Sequence, residues 1–390
     1  QAASSSCRVL VTCSSQPHQF LVLDCFIMSF PVSPEGLNKE WLNQILHESA
    51  SLSEGEQVEN FSFENISEGV GLLGIVVRVY LTYDKTAKGP TSLVIKFATD
   101  EPENRELANT MNLYEREVIF FNEIATGLDI PIPKCYFAAM DHDSGGDVIV
   151  LEDLFEYSLG DQIGGITAEQ ALMVVDVVAP LHAKYWGKGE EVFPDMQRID
   201  SEDFIERSAA SFYVSWEKAL ERFPEFFPDE LRDALPGYVN AMEDTYREMG
   251  NRTKTVIHGD VRMDNALFGN GVSGLLPVVL IDWQNIMISN PLYDIGWMMF
   301  TSLPVEIRRE CKKDVLERYV AQLEAEGVQN YSIEQCEKDY DVALLFIIHF
   351  TILIAGLFDI STEEKRRLAE TGLARSIAAF FDRDCLKLIP

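Results

Sequence analysis

Basic side chains are scarce in this chain: 32 Lys and Arg stand against 63 Asp and Glu, for a formal net charge of -31. Such a balance repels phosphate backbones and anionic lipid headgroups, so neither nucleic acid nor a membrane surface is expected as a partner. Cysteine is thinly scattered too, with seven residues, an odd number, and no C-x-x-C pair that would form half of a zinc site. Reduced thiols in the cytoplasm fit that usage. The six histidines are equally dispersed, and no H-E-x-x-H helix or His/Cys cluster occurs, which excludes the common zinc-hydrolase pattern. Internal repeats and low-complexity tracts are absent.

Long hydrophobic runs are nearly missing. Phe20 to Met28 is too short to span a bilayer and contains Asp24. Val342 to Phe358 is long enough to resemble a membrane helix, but it carries His349 and Thr351 and is bracketed by Asp341 and Asp359. A buried helix in a large helical lobe explains it.

What is present is enough for two modest domains or one two-lobed unit: 390 residues, 47% of them hydrophobic and 24% charged. Residues 1–27 are Ser-rich and left unassigned, with Met28 as a candidate working start. Helical spacing over Glu40 to His47 is followed by strand-like runs at Gly74 to Tyr83 and Ser92 to Ala98. A helix is predicted over Asn109 to Ala125, and two more strands, Tyr136 to Met140 and Asp147 to Leu151, flank an Asp-Ser-Gly-Gly turn. From Ala168 the pattern turns helical, over Ala171 to Trp186, Asp203 to Arg222, Pro236 to Met249, Val305 to Gly327, Ile333 to Leu357 and Glu363 to Asp382. Short apolar runs alternating with polar loops interrupt it between Thr255 and Asp282. The expected architecture is α+β: a small β-rich lobe over residues 28–152 and a large, mainly helical lobe over 153–390.

Chemistry concentrates in that interruption. His258-Gly259-Asp260-Val261-Arg262-Met263-Asp264-Asn265 is followed by Asp282 at the end of the apolar run Pro277 to Ile281. Phosphoryl transfer from ATP needs an acid to accept or orient the proton of the acceptor alcohol, and oxygen ligands to hold Mg²⁺ against the phosphates. Asp260 suits the first role, Asn265 and Asp282 the second. Taken singly, these residues read as ordinary turn formers and strand terminators.

Together and in this order, the pieces resemble the catalytic and metal-binding loops of aminoglycoside phosphotransferases, choline kinases and protein kinases. The resemblance covers about residues 60 to 380 and implies a protein-kinase-like bilobal fold using ATP and Mg²⁺. It also implies upstream roles. Lys96, in Leu-Val-Ile-Lys-Phe, matches the strand lysine that binds the α and β phosphates; Glu117 matches its helical ion-pair partner, with Glu115 competing. Gly69, Gly71 and Gly74 match a glycine-rich phosphate cover, where bare backbone approaches the nucleotide closely. Val148 to Leu154 looks like the strand and hinge whose main chain, at Glu152 and Leu154, binds adenine. Asp294 matches an aspartate that caps a helix and steadies the catalytic loop, whereas His182 and Trp186 read as core packing.

No Asp-Phe-Gly or Ala-Pro-Glu signature is present, since Asp282 is followed by Trp283 and Gln284. The Ile-Asp-Trp-Gln form is similar to the ecdysteroid-kinase-like group of small-molecule kinases. That group usually carries Trp two residues after the catalytic aspartate, where Arg262 stands here. Arg262 is expected either to offset charge on the transferring γ-phosphate or to form a salt bridge with a neighbouring acid. The function these expectations describe is transfer of the ATP γ-phosphate to a hydroxyl of a small molecule. The alternative is a nucleotide-binding pseudokinase with a regulatory or scaffold role. Phe212, Tyr213, Trp216, Trp297, Phe346 and Phe350 supply either acceptor-pocket walls or core.

Overall fold

The computed structural model describes residues 30–67, 73–84 and 88–388. Residues 1–27, Gly69 and Gly71 lie outside the described residues. The chain divides into two compact units, one running to residue 128 and including 132–155, the other comprising 129–131 and 156–390.

In the first unit, β1 (Val58–Asn65), β2 (Gly74–Tyr83), β3 (Ser92–Ala98), β4 (Cys135–Asp141) and β5 (Gly146–Glu152) form one antiparallel sheet in the order β1-β2-β3-β5-β4. Side chains alternate between the faces of a strand. Val77, Val79, Leu93, Ile95, Phe97, Val148 and Val150 therefore share one buried face, packed against Trp41, Leu42, Ile45 and Leu46 of α1 (Lys39–Glu48). The same alternation turns Lys96 and Asp147 to the opposite face. There α2 (Pro102–Thr110) and α3 (Leu113–Ile119) lie.

The predicted Asn109–Ala125 helix is in fact broken. Asn112 adopts a left-handed conformation (φ 53°), which Asn tolerates, and ends α2 before α3 begins. After Ile119 the helix widens into a π turn over Phe120–Ile124. Strand β1 carried no sequence signal because it is a mostly exposed edge with one buried residue, Val58.

The second unit is built from α4 (Ala168–Lys184), the short α5 (Gly189–Val192), α6 (Glu202–Arg222), α7 (Asp229–Asn240), α8 (Met242–Gly250), α9 (Leu292–Trp297), α10 (Val305–Ala325), α11 (Ile333–Leu357) and α12 (Glu363–Asp382). Pro236, predicted to open a helix, lies inside α7 instead. Two small sheets carry the polar loops: β6 (Ser158–Leu159) with β8 (Ala266–Phe268) and β9 (Val278–Leu280), and β7 (Thr255–Ile257) with β10 (Met287–Ser289). Helix α11 is long and apolar enough to cross a membrane, and 72% of its most apolar window is buried within the protein. It crosses α6 closely at Gly356, where a Cβ would stand 2.1 Å from the Ser215 carbonyl oxygen.

Candidate active site

In the first unit, the Lys96 Nζ lies 2.6 Å from Glu117 Oε2, with only 15% of the lysine and 2% of the glutamate side chain exposed. The apolar strand β3 delivers the lysine and the inward turn of α3 delivers its partner, so Glu117, not Glu115, makes the pair. A buried charge needs such a counter-charge, because desolvation would otherwise neutralise it. Gly74 opens β2 opposite Ala98, and a Cβ there would stand 3.2 Å from the Phe97 carbonyl oxygen. Glu152 ends β5, its amide bonded to the Lys134 carbonyl, and Leu154 follows it half-buried.

In the second unit, residues 258–265 run between β7 and β8 and are held from three sides. Asp294, in α9, accepts hydrogen bonds from the backbone N–H groups of His258 (2.8 Å) and Gly259 (2.9 Å). It grips the loop and does not cap its own helix. Behind it, His182 of α4 places Nε2 3.1 Å from Asp294 Oδ2 and Nδ1 3.0 Å from the Tyr319 hydroxyl. His182 therefore reaches the loop through Asp294, beyond the packing role expected of it.

The second hold is His258 itself. Its Nε2 lies 3.1 Å from the Ile281 carbonyl oxygen, and its Nδ1 accepts from the Asp260 amide at 3.2 Å. With Nδ1 accepting, the ring proton that faces the Ile281 carbonyl is on Nε2. These bonds tie the Asp260 loop to the residue preceding Asp282. Gly259 (φ 82°) completes the tie: a Cβ would sit 2.2 Å from the Asn285 carbonyl oxygen, so a side chain is excluded.

The third hold is Gln162, whose Oε1 accepts from the Met263 amide and from the Ser302 hydroxyl, both at 2.9 Å. No motif pointed to it, because its partners come from distant parts of the chain.

Asp260 is thus fixed by its neighbours. Asn265 Nδ2 donates to its carbonyl oxygen (3.0 Å) and to Oδ2 (3.1 Å), and the Trp297 indole N–H donates to Oδ1 (2.9 Å). With its nitrogen so committed, Asn265 turns its own amide oxygen away as an acceptor. Asp282 follows β9 in the left-handed region (φ 65°), an uncommon state for any residue with a side chain, and receives a bond from Gln284 Nε2. Arg262 lies 3.4 Å from Asp260 and 3.2 Å from Asp264. The Asp260 charge, followed by those of Asp264 and Asp282, holds its guanidinium still more firmly protonated. The salt-bridge alternative is therefore the one this geometry displays.

A profile of the ecdysteroid kinase-like family matches residues 68–329. The chain belongs to the ecdysteroid kinase-like family. Among solved structures it is similar to a putative aminoglycoside phosphotransferase from Ralstonia eutropha JMP134, with 14% identity, 90% of this chain and 99% of that chain covered, and a TM-score of 0.52. At that identity the likeness shows a shared kinase-like fold. A Plasmodium vivax ethanolamine kinase also matches, at 13% identity, a TM-score of 0.42, and 83% and 84% of the two chains. A curated Caenorhabditis elegans relative, the uncharacterized oxidoreductase dhs-27, is 24% identical over 326 residues, covering 77% of this chain and 39% of the relative. The chain spans well under half the length of that protein. The aromatic residues of this ecdysteroid kinase-like chain divide by burial: Phe212 and Phe346 are fully enclosed core, Tyr213 is 51% exposed, and Trp297 touches Asp260.

Donors for a divalent cation fit at the level of chemistry. No group of three or more His, Cys, Asp or Glu forms a metal cage among the described residues. Mg²⁺ bound with a nucleotide needs none, since one or two protein oxygens plus phosphates and water complete its octahedron.

Proposed function

We propose that this chain is an ATP-dependent small-molecule kinase that transfers the γ-phosphate to an alcohol, with Asp260 as base. The observation that carries the reading is the Asp260 carboxylate, held by Asn265 on one oxygen and Trp297 on the other. Oriented in this way, Asp260 takes the proton of the acceptor O–H as its oxygen bonds to the γ-phosphorus and the bond to the bridging oxygen breaks, yielding a phosphate ester, ADP and a proton. Lys96, oriented by Glu117, neutralises the α and β phosphates. Asn265 and Asp282 would hold Mg²⁺, which, when bound, offsets the phosphate charge. Arg262, paired with Asp260 and Asp264, turns to the γ-phosphate when that charge arrives. Glu152 and Leu154 contribute main-chain groups to adenine. The family membership and the kinase-like fold support this reading.

Turnover of Mg-ATP against a library of small alcohols tests it. Wild-type protein is expected to form ADP and a phosphate ester with at least one acceptor. Asp260→Asn should lose on the order of 10²-fold or more in rate while binding Mg-ATP normally. Folded wild-type protein that binds Mg-ATP yet turns over no acceptor would instead establish the scaffold role, and absence of nucleotide binding would remove both.

A further inference from the structure

We infer that Trp297 is a positioning residue for the Asp260 carboxylate, an inference that rests on the kinase reading above. An indole N–H donates and cannot accept, so it engages Asp260 as an acceptor and in one geometry only. Its 2.9 Å bond goes to Oδ1, while Asn265 Nδ2 reaches Oδ2 at 3.1 Å. With a separate donor on each oxygen, the carboxylate cannot rotate about Cβ–Cγ without breaking one of them. A base that must meet a hydroxyl to within about 0.5 Å gains from that restraint.

The indole is itself locked. Trp297 is only 7% exposed. Its ring lies parallel (3°) to that of Tyr293, one turn earlier in α9, at 6.0 Å, and edge-on to Phe350 of α11, also at 6.0 Å. The Trp297 carbonyl accepts the Thr301 hydroxyl at 2.6 Å, pinning the backbone where α9 passes into the π turn Met298–Ser302. A buried indole N–H needs an acceptor, and the one that Trp297 finds is a carboxylate oxygen of Asp260. A single short helix thus serves the loop twice: Asp294 holds the backbone of His258 and Gly259, and Trp297, three residues on, holds the side chain of Asp260.

The test pairs a spectroscopic with a kinetic measurement. In protein labelled with [¹⁵N]tryptophan, the Trp297 indole signal is assigned by its loss in Trp297→Phe. It is expected downfield of the other indoles and should move upfield in Asp260→Ala; an unmoved signal would overturn the contact whether or not the chain is a kinase. With an acceptor in hand, Trp297→Phe, which keeps a ring and removes the donor, should lower kcat on the order of 10- to 100-fold. Its KM for ATP should stay within twofold, and Trp297→His, which restores a ring N–H, should recover part of kcat. Equal kcat in wild type and a folded Trp297→Phe would refute the positioning role while leaving the kinase reading intact. A wild-type protein inert toward every acceptor refutes the kinase reading and with it the catalytic meaning of the contact, and the indole signal still decides whether the contact exists.

Discussion

Asp147 offers the sharpest physical test of the first unit. It is fully buried in β5, and among the described residues only the backbone N–H groups of Asp147 itself and Ala98 face its carboxylate, neither in good hydrogen-bond geometry. Burial, followed by the negative charge of Glu117, pushes its pKa from an ordinary 3.8 to about 7, with Lys96 pulling the other way. The folded unit thus keeps its proton where the unfolded chain has lost it, so stability falls as pH rises from about 4 to about 7 and is level beyond. At 1.36 kcal/mol per unit, the penalty grows from about 1 kcal/mol at pH 4.5 to about 4 at pH 7.5, a change of about 3 kcal/mol. Asp147→Asn removes the titration. Its amide still sits dry, at a cost of about 1–3 kcal/mol, but that cost does not depend on pH. The assay is the urea midpoint or Tm of wild type and variant from pH 4.5 to 7.5, and the quantity is the difference between them. That difference should shift by about 3 kcal/mol in favour of the variant as pH rises. A difference that stays constant, or moves the other way, would show that the carboxyl is not held neutral.

Three further outcomes follow from the packing. Lys96→Met removes the cation 2.6 Å from buried Glu117 and should cost about 3–5 kcal/mol together with Mg-ATP affinity; adding Glu117→Leu should restore the stability but not the nucleotide binding, read by urea titration and calorimetry. Gly356→Ala forces a Cβ against the Ser215 carbonyl where α11 crosses α6, and a loss of about 1–3 kcal/mol in thermal unfolding is expected. His349, fully buried in α11 with Nδ1 against the Tyr246 hydroxyl, has its pKa lowered by burial to about 3. The unfolded chain alone takes up its proton as pH falls below about 6.5, so wild type should lose about 2 kcal/mol between pH 7.5 and 5 relative to His349→Phe, and a pH-independent difference would contradict this.

Much of the fold was legible in the sequence because its signals are local. The β2–β3 hairpin, α11 and α12 have the predicted bounds, since alternation and helical periodicity need no tertiary information. Elements without such a signal were lost. Strand β1 exposes most of its side chains, and the break at Asn112 rests on one residue's tolerance of a left-handed backbone inside a helical pattern. The candidate site divides in the same way. Asp260, Asn265, Asp282, Lys96 and Glu117 stand in recognisable spacing, whereas Gln162, His182 and Trp297 act through partners more than thirty positions away in the chain, which no window of sequence displays.

That division reflects how the loop is ordered. A turn as short as 258–265 makes some bonds of its own, from Asn265 to Asp260 and from the Asp260 amide to His258, but these are too few to offset the entropy of ordering it. The fixing groups must come from elements whose positions the core already sets: Asp294 and Trp297 from α9, His182 from α4, and Gln162 from the segment leading to α4. Asp294, Trp297 and Gln162 each place a buried polar group on the loop and lose that bond if the loop changes shape, so the loop and the helical core should unfold together. Holding the nucleotide phosphates does not require the Asp260 carboxylate to be held at both oxygens, since like charges repel. Its double restraint orients both carboxylate oxygens, which is what proton transfer, the role proposed for Asp260, would use.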